Sequence, residues 1–204
     1  RFLLRIEDID PARARPDYER GIEEDLAWLG LQWEQPVRRQ SEHFADYAAA
    51  LTRLDDMGVL YPCFCTRVDI ADEIARASAA PHGPEGPLYP GTCRALPRKE
   101  AERRRAAGVG FALRLDVAKA AGLVCGPLVF EEAGRGPGGE TGPRPVQPER
   151  LGDVVLARKE MPASYHLAVV VDDALPGVSL VTRGEDLFAV TPIHRPLQAL
   201  LGLP

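Results

Sequence analysis

An α/β fold, a parallel sheet with helices that is split by an inserted subdomain, is predicted by three features of the 204-residue sequence. Strand-like apolar runs stand near both ends of the chain, at residues 2–6, 154–156, 165–171 and 178–181. Helical periodicities follow them at both ends, as expected when strands and helices alternate. Between them, residues 61–150 change texture: closely spaced cysteines, a basic run, then a stretch dominated by Gly and Pro. The expected division is therefore 1–60 for the first half of the α/β fold, 61–150 for the insertion and 151–204 for the second half.

In chain order, residues 2–6 end in the acidic cluster Glu7, Asp8 and Asp10. Carboxylates at the C-terminal end of a strand lie where open α/β sheets bind ligands; a solvated acidic turn is the plain alternative. Asp17 is placed to cap a helix running to Leu29, with Ile22, Leu26 and Leu29 inward and Gly30 as its stop. Residues 31–34 read as a linker or short strand. Ser41 is expected to cap a second helix carrying Phe44, Tyr47, Ala48, Leu51 and Leu54 at helical spacing, with Gly58 ending it.

Thr66 and Asp69 have capping-box spacing and open a short helix to about Ala77. A Pro- and Gly-rich loop covers 80–91. The cations Arg94, Arg98, Lys99, Arg103, Arg104 and Arg105 then suit either phosphate contact or a solvated helix face paired with Glu100 and Glu102. Residues 111–115 alternate as a strand does, Cys125 reads as a small buried hydrophobe, and 134–148 as a loop without regular structure. In the last part, residues 165–171 form a β-branched run of the kind buried on both faces of a sheet, ended by Asp172 and Asp173. Residues 178–181 are a further strand closing at Arg183. Thr191 and Pro192 begin a helix whose Leu197, Leu200 and Leu201 face inward. Strands ending at Glu7, Asp172 and Arg183 would gather polar groups at one sheet edge, which is a binding crevice.

The totals bound the function. Hydrophobic residues make up 45% of the chain, enough for a sizeable core, and no apolar run reaches membrane-spanning length. No signal peptide is visible, and few, closely spaced cysteines suit a reducing, cytoplasmic setting. A net charge of −5 argues against a generic polyanion binder but leaves room for a local basic patch. The sequence begins without Met inside a strand-like run and stops just after a helical pattern, so a piece lacking both ends is expected.

Cys63, Cys65 and Cys93 form the sharpest chemical signal. A Cys-x-Cys pair cannot readily close on itself as a disulfide. Two thiolates on one turn, with a third returning after a loop, suit a soft tetrahedral ion such as Zn²⁺; reduced core cysteines are the alternative. A phenolate is an uncommon ligand, so spacing favours His82 or water over Tyr89 as the fourth.

Leu4-Arg-Ile-Glu-Asp-Ile-Asp10, Tyr165-His-Leu-Ala-Val-Val-Val-Asp-Asp173 and Arg183-Gly-Glu-Asp186, in this order and parted by an insertion, resemble the catalytic domain of class I glutamyl-tRNA synthetases. The resemblance runs from Leu3 to Leu201. Tyr61-Pro-Cys-Phe-Cys-Thr-Arg67 and Leu88-Tyr-Pro-Gly-Thr-Cys-Arg94 are similar to the zinc-binding insertion of the glutamyl-queuosine tRNA(Asp) synthetase branch, as is Ile9. The resemblance implies a Rossmann-like fold and one structural zinc on Cys63, Cys65, Tyr89 and Cys93, which reverses the preference for His82. It implies glutamate held by Glu7, Tyr165 and Arg183, ATP with Mg²⁺ as substrate, and transfer to queuosine in tRNA(Asp) by a monomer. No residue of this chain is assigned a catalytic role. The family's ATP-cradling H-I-G-H-like signature would precede Arg1, and its K-M-S-K-S-like loop would follow Pro204. The 204 residues alone are therefore expected to be inactive. Two other readings stay in view: a discriminating glutamyl-tRNA synthetase cut short, and a catalytically dead module that binds RNA or an amino acid.

Overall fold

The computed structural model describes residues 2–76, 82–83 and 86–204. The predicted helix end at Ala77 and the start of the loop at Ala80 lie outside the described residues.

The chain opens as a βαβ unit. Strand β1 (Leu3–Ile6) runs parallel to β2 (Glu34–Arg39), with α1 (Pro16–Trp28) between them. The strand expected near 31–34 thus begins where that stretch ends. Helix α1 starts one residue before Asp17, and none of its residues is buried. The apolar face expected at Ile22 and Leu29 is exposed at 45% and 62%. Register sets Arg5 beside Arg38 and Ile6 beside Arg39. Two neighbouring arginines would repel each other, so β1 and β2 need a shared anion.

Helix α2 (Phe44–Asp56) buries Tyr47, Ala50 and Leu54. Its cap is His43, not Ser41, which lies in a preceding 3-10 turn and gives its hydroxyl to Asp8. Gly58 ends the helix at φ +68°, a conformation that suits glycine, and its carbonyl accepts from Lys119 Nζ at 2.6 Å. Strand β3 (Leu60–Cys63) carries the first cysteine, and α3 (Arg67–Arg76) follows. Its predicted capping box is present: Thr66 N donates to Asp69 Oδ2 at 2.7 Å and Asp69 N to Thr66 Oγ1 at 3.1 Å.

Beyond two short bridging strands, β4 (His82–Gly83) and β5 (Gly86–Pro87), comes the basic helix α4 (Arg98–Ala106). Here the solvated-face alternative fits: Arg98 pairs with Glu102, and Arg103 and Arg104 pair with Glu100. Strand β6 (Ala112–Leu115) leads into α5 (Val117–Leu123). Residues 134–148, expected to lack regular structure, contain β8 (Gly142–Pro145), which closes an antiparallel hairpin with β7 (Val129–Glu132). Cys125, expected to be buried, is exposed.

Strands β3, β6 and β9 (Val155–Arg158) form one three-stranded sheet in that order, antiparallel throughout. Among the described residues the parallel arrangement is confined to β1 and β2.

The main correction concerns residues 165–171, which form a helix, α6 (Tyr165–Ala174), and not a strand. Every residue from Leu167 to Asp172 is buried. A helix enclosed by core on most sides loses its polar stripe and cannot be told from a buried strand by periodicity. Residues 178–181 are exposed chain without regular structure, again not a strand. The turn after α6 leaves Leu180 and Val181 outside the core, at 66% and 51% exposure. Helix α7 (Thr191–Leu201) buries Ile193, Leu197, Leu200 and Leu201 as expected, with Thr191 as its first residue.

The core lies where α2, α6 and α7 meet the inner faces of β3, β6 and β9. Tyr47, Leu54, Leu115, Leu156, Leu167, Ile193 and Leu197 are fully enclosed there. Asp172 on α6 is the shared anion. It is 1% exposed and accepts from Arg38 Nε at 2.8 Å, Gln40 Nε2 at 2.8 Å and Tyr47 Oη at 2.9 Å, with Arg5 Nε 3.9 Å away. A buried carboxylate keeps its charge only with such partners.

Candidate functional site

Glu7 follows the last residue of β1, so strand geometry brings its carboxylate to the sheet edge. Arg5 donates to its Oε1 through Nη2 at 2.8 Å and gives Nη1 to Asp173. The guanidinium is thereby fixed between Glu7 and the C-terminal part of α6. Glu7 itself stays 42% exposed at its side chain and open to a ligand.

Tyr165 opens α6 and feels the charges of Glu7, Arg5, Asp173 and Arg183. Burial, reinforced by Glu7, raises its phenol above the ordinary value, so it remains a neutral O–H. Its ring meets those of His166 and His194 edge-on, at 5.8 and 6.0 Å. The two imidazoles face each other, His166 Nδ1 to His194 Nε2, at 3.2 Å. Burial drives His166 to about 4; burial, with the nearby His166 and Arg183 charges, drives His194 to about 3. Both rings are neutral at pH 7, and one of the facing nitrogens carries the shared hydrogen.

Arg183 is 17% exposed at its side chain and pairs with Glu132 of β7 at 3.3 Å. Its Nε is buried without a hydrogen-bond partner among the described residues. The β7–β8 hairpin is held against it by Phe130, which meets Phe188 edge-on at 6.0 Å. Gly136 allows the approach, since a Cβ there would meet the Phe188 ring at 2.9 Å. Tyr165 thus lies within electrostatic reach of both Glu7 and Arg183, but not through strand ends gathered at one sheet edge as expected: only Glu7 follows a strand, while Tyr165 opens a helix and Arg183 stands in chain without regular structure. Asp172, expected at that edge, is instead the buried support beneath it.

The second site is the cysteine cluster. The sulfurs of Cys63, Cys65 and Cys93 lie within 4.8 Å of one another, with Cys65 and Cys93 only 3.4 Å apart. Tyr89 Oη sits 3.3 Å from Cys63 Sγ and 3.7 Å from Cys65 Sγ, and accepts from Cys93 N at 2.9 Å. Neighbouring sulfurs around a tetrahedral Zn²⁺ at about 2.3 Å are separated by roughly 3.8 Å, so these donors fit such an ion. His82 belongs to β4 by its backbone, and the expectation for its imidazole lies outside the described side chains. Burial opposes ionisation of Cys63, but hydrogen bonding from Tyr89 and Arg114 outweighs it and lowers this thiol. Burial pushes Cys65 up to about 12. A cation in the cluster would reverse that second shift, because a coordinating thiol is deprotonated.

A cleft of about 500 Å³ is lined by one residue of each site, Tyr89 and Tyr165, together with Arg114, Asp153, Ser164 and His166. The sequence motifs pointed to Glu7, Tyr165, Arg183, Cys63, Cys65, Tyr89 and Cys93. They did not point to Glu132, His194, Arg114 or Asp153, which reach the sites from distant parts of the chain. For Arg5 and Asp173 the signal was present, because both stand inside the quoted motifs.

All 204 residues match the family described as tRNA synthetases class I (E and Q), catalytic domain. The chain belongs to that family. Among curated relatives it is 48% identical over its whole length to a glutamyl-Q tRNA(Asp) synthetase of Rhodobacter capsulatus, covering 72% of that protein. It is 44% identical to one of Nocardia farcinica, covering 58% of it, and 36% identical to a glutamate–tRNA ligase of Aquifex aeolicus, covering 40%. The chain therefore spans only part of the relatives it matches. Among solved structures, glutamate-tRNA synthetase from Elizabethkingia anophelis superposes with a TM-score of 0.79 at 23% identity, over all of this chain and 41% of that one. That likeness concerns the fold.

Proposed function

We propose that this chain is the glutamate-binding part of a cytoplasmic, monomeric ligase that activates glutamate with ATP and transfers it to queuosine of tRNA(Asp). In the first step a carboxylate oxygen of glutamate attacks the α-phosphorus of ATP, which enters with Mg²⁺, and pyrophosphate leaves. In the second a hydroxyl of the acceptor nucleoside attacks the acyl carbon and AMP leaves.

The observation that carries this reading is Arg183, a nearly buried guanidinium with an unpartnered Nε, in the same neighbourhood as the accessible carboxylate of Glu7. Glutamate carries an ammonium and two carboxylates. Glu7 suits the ammonium, while Arg183 and the neutral Tyr165 hydroxyl suit a carboxylate. The identity to relatives named for tRNA(Asp), higher than to those named glutamate–tRNA ligase, supports the acceptor.

The insertion, residues 61–150, is proposed to hold one structural Zn²⁺ through Cys63, Cys65, Tyr89 and Cys93. Four protein ligands leave no open position for catalysis, so the ion's contribution is to fold the insertion. Among the described residues no helix is long and apolar enough to cross a membrane.

Glutamate-dependent ATP–pyrophosphate exchange by the full-length protein tests the site. Arg183→Gln and Glu7→Gln are expected to raise the KM for glutamate by about 10-fold or more, the scale of one lost charge-assisted bond. Unchanged KM values in both would refute the assignment.

A further inference from the structure

Three thiolates and a phenolate around a divalent cation leave two negative charges in excess. Cys63 and Cys93 are buried, at 2% and 6% exposure. Excess charge in such a place needs a nearby opposite charge or a dense set of donors.

Arg114 stands where that charge is needed. Its Cζ lies 3.9 Å from the centroid of the Tyr89 ring, the closest cation–ring contact in the described chain. Its position is over-determined. Strand register pairs Arg114 with Tyr61 of β3, two residues before Cys63. Its Nη1 donates to the Asp153 carbonyl at 2.6 Å. Asp153 is itself 6% exposed, and its carboxylate accepts from Tyr61 Oη at 2.6 Å, Arg94 Nη1 at 3.1 Å and Val117 N at 3.0 Å. Arg114 is thus clamped by Asp153 and set over the ring of the one ligand that is not a thiolate.

We propose that Arg114 is a positioning residue of the metal centre: set over the Tyr89 ring and clamped by Asp153, it places a fixed positive charge beside the ligands and offsets their excess negative charge. This rests on the four-ligand zinc reading above.

The test is zinc release from the purified protein to a chromophoric chelator, with melting temperature measured alongside. Loss of an outer partner of a metal ligand weakens binding by roughly 10–100-fold, and Arg114→Gln is expected to fall in that range. In a Tyr89→Phe background the same substitution is expected to cost less, because one of the two ligands that Arg114 meets has lost its oxygen while its contact with Cys63 remains. Arg114→Gln that melts normally and holds zinc as tightly as the native protein would overturn the inference. So would an equal loss with and without the Tyr89 hydroxyl, which would leave the contact with that ring without a role at the metal. Should Arg114→Gln not fold, Arg114→Lys keeps a charge without the guanidinium over the ring. Its zinc release is expected to be faster than native, and a native rate would overturn the inference. Native protein without zinc would instead bring down the metal reading itself, and this inference with it.

Discussion

Asp172→Asn tests whether the buried carboxylate of α6 holds the two halves of the chain together. The substitution preserves shape but removes the charge that Arg38 and, at 3.9 Å, Arg5 face. It also sets an amide N–H₂ among groups that are all donors: Arg38 Nε, Gln40 Nε2 and Tyr47 Oη. Removing one partner from a buried, hydrogen-bonded charge set costs about 3–5 kcal/mol. Arg38 keeps Asp46 at 2.7 Å and Arg5 keeps Glu7 and Asp173, which places the expectation toward the lower end of that range. For a chain of this size about 1 kcal/mol moves Tm by about 2–4 °C, so a loss of roughly 6–12 °C is expected by calorimetry. Asp46→Asn is the control, since that side chain is 43% exposed and its pair should contribute under about 1 kcal/mol. If the two variants melt together, the buried network does not stabilise the fold as argued.

Other consequences are equally open to measurement. Cys65→Ser and Cys93→Ser should each reduce zinc well below one ion per chain by atomic emission, and Tyr89→Phe should loosen it; unaltered content in Tyr89→Phe would point to His82 or water. His166 and His194 are depressed from 6.5 to about 4 and about 3, so the unfolded chain binds more protons than the folded one below pH 6.5. Stability in urea should accordingly be level above pH 6.5 and fall as the pH drops toward 4, and the fall should be smaller in His166→Gln/His194→Gln; an equal slope in both proteins would contradict the assignment. Gly136→Ala should destabilise the hairpin by about 1–3 kcal/mol through contact with Phe188, seen as faster amide exchange in β7 and β8, whereas unchanged exchange would show that the ring yields freely.

What was legible in the sequence had short-range causes. The capping box at Thr66 and Asp69, the stop at Gly58 and the inward leucines of α7 depend on neighbours within a few residues. So does the placement of Glu7 at the end of β1. The failures came where tertiary environment overrides pattern. Residues 165–171 are apolar because α6 is enclosed, not because they pair in a sheet. Ile22 and Leu29 repeat at helical spacing yet remain exposed. For the sites, motif residues were found and their supports were not. Glu132 reaches Arg183 across 51 residues, and Asp153 reaches Tyr61 across 92. Nothing in the local sequence marks such partners. Tyr89 is the instructive middle case: spacing alone spoke against it, and the fold sets its oxygen within 3.7 Å of two cysteine sulfurs.

The proposed function requires the Glu7, Tyr165 and Arg183 neighbourhood to select glutamate for transfer to a modified nucleoside of tRNA(Asp). The most direct test is radiolabelled glutamate transfer by the full-length protein to tRNA(Asp) with and without queuosine, with tRNA(Glu) as competitor. Glutamate should appear on queuosine-containing tRNA(Asp) alone, and the product should be lost in Arg183→Gln. Labelling of tRNA(Glu), or labelling of tRNA(Asp) regardless of queuosine, would contradict it.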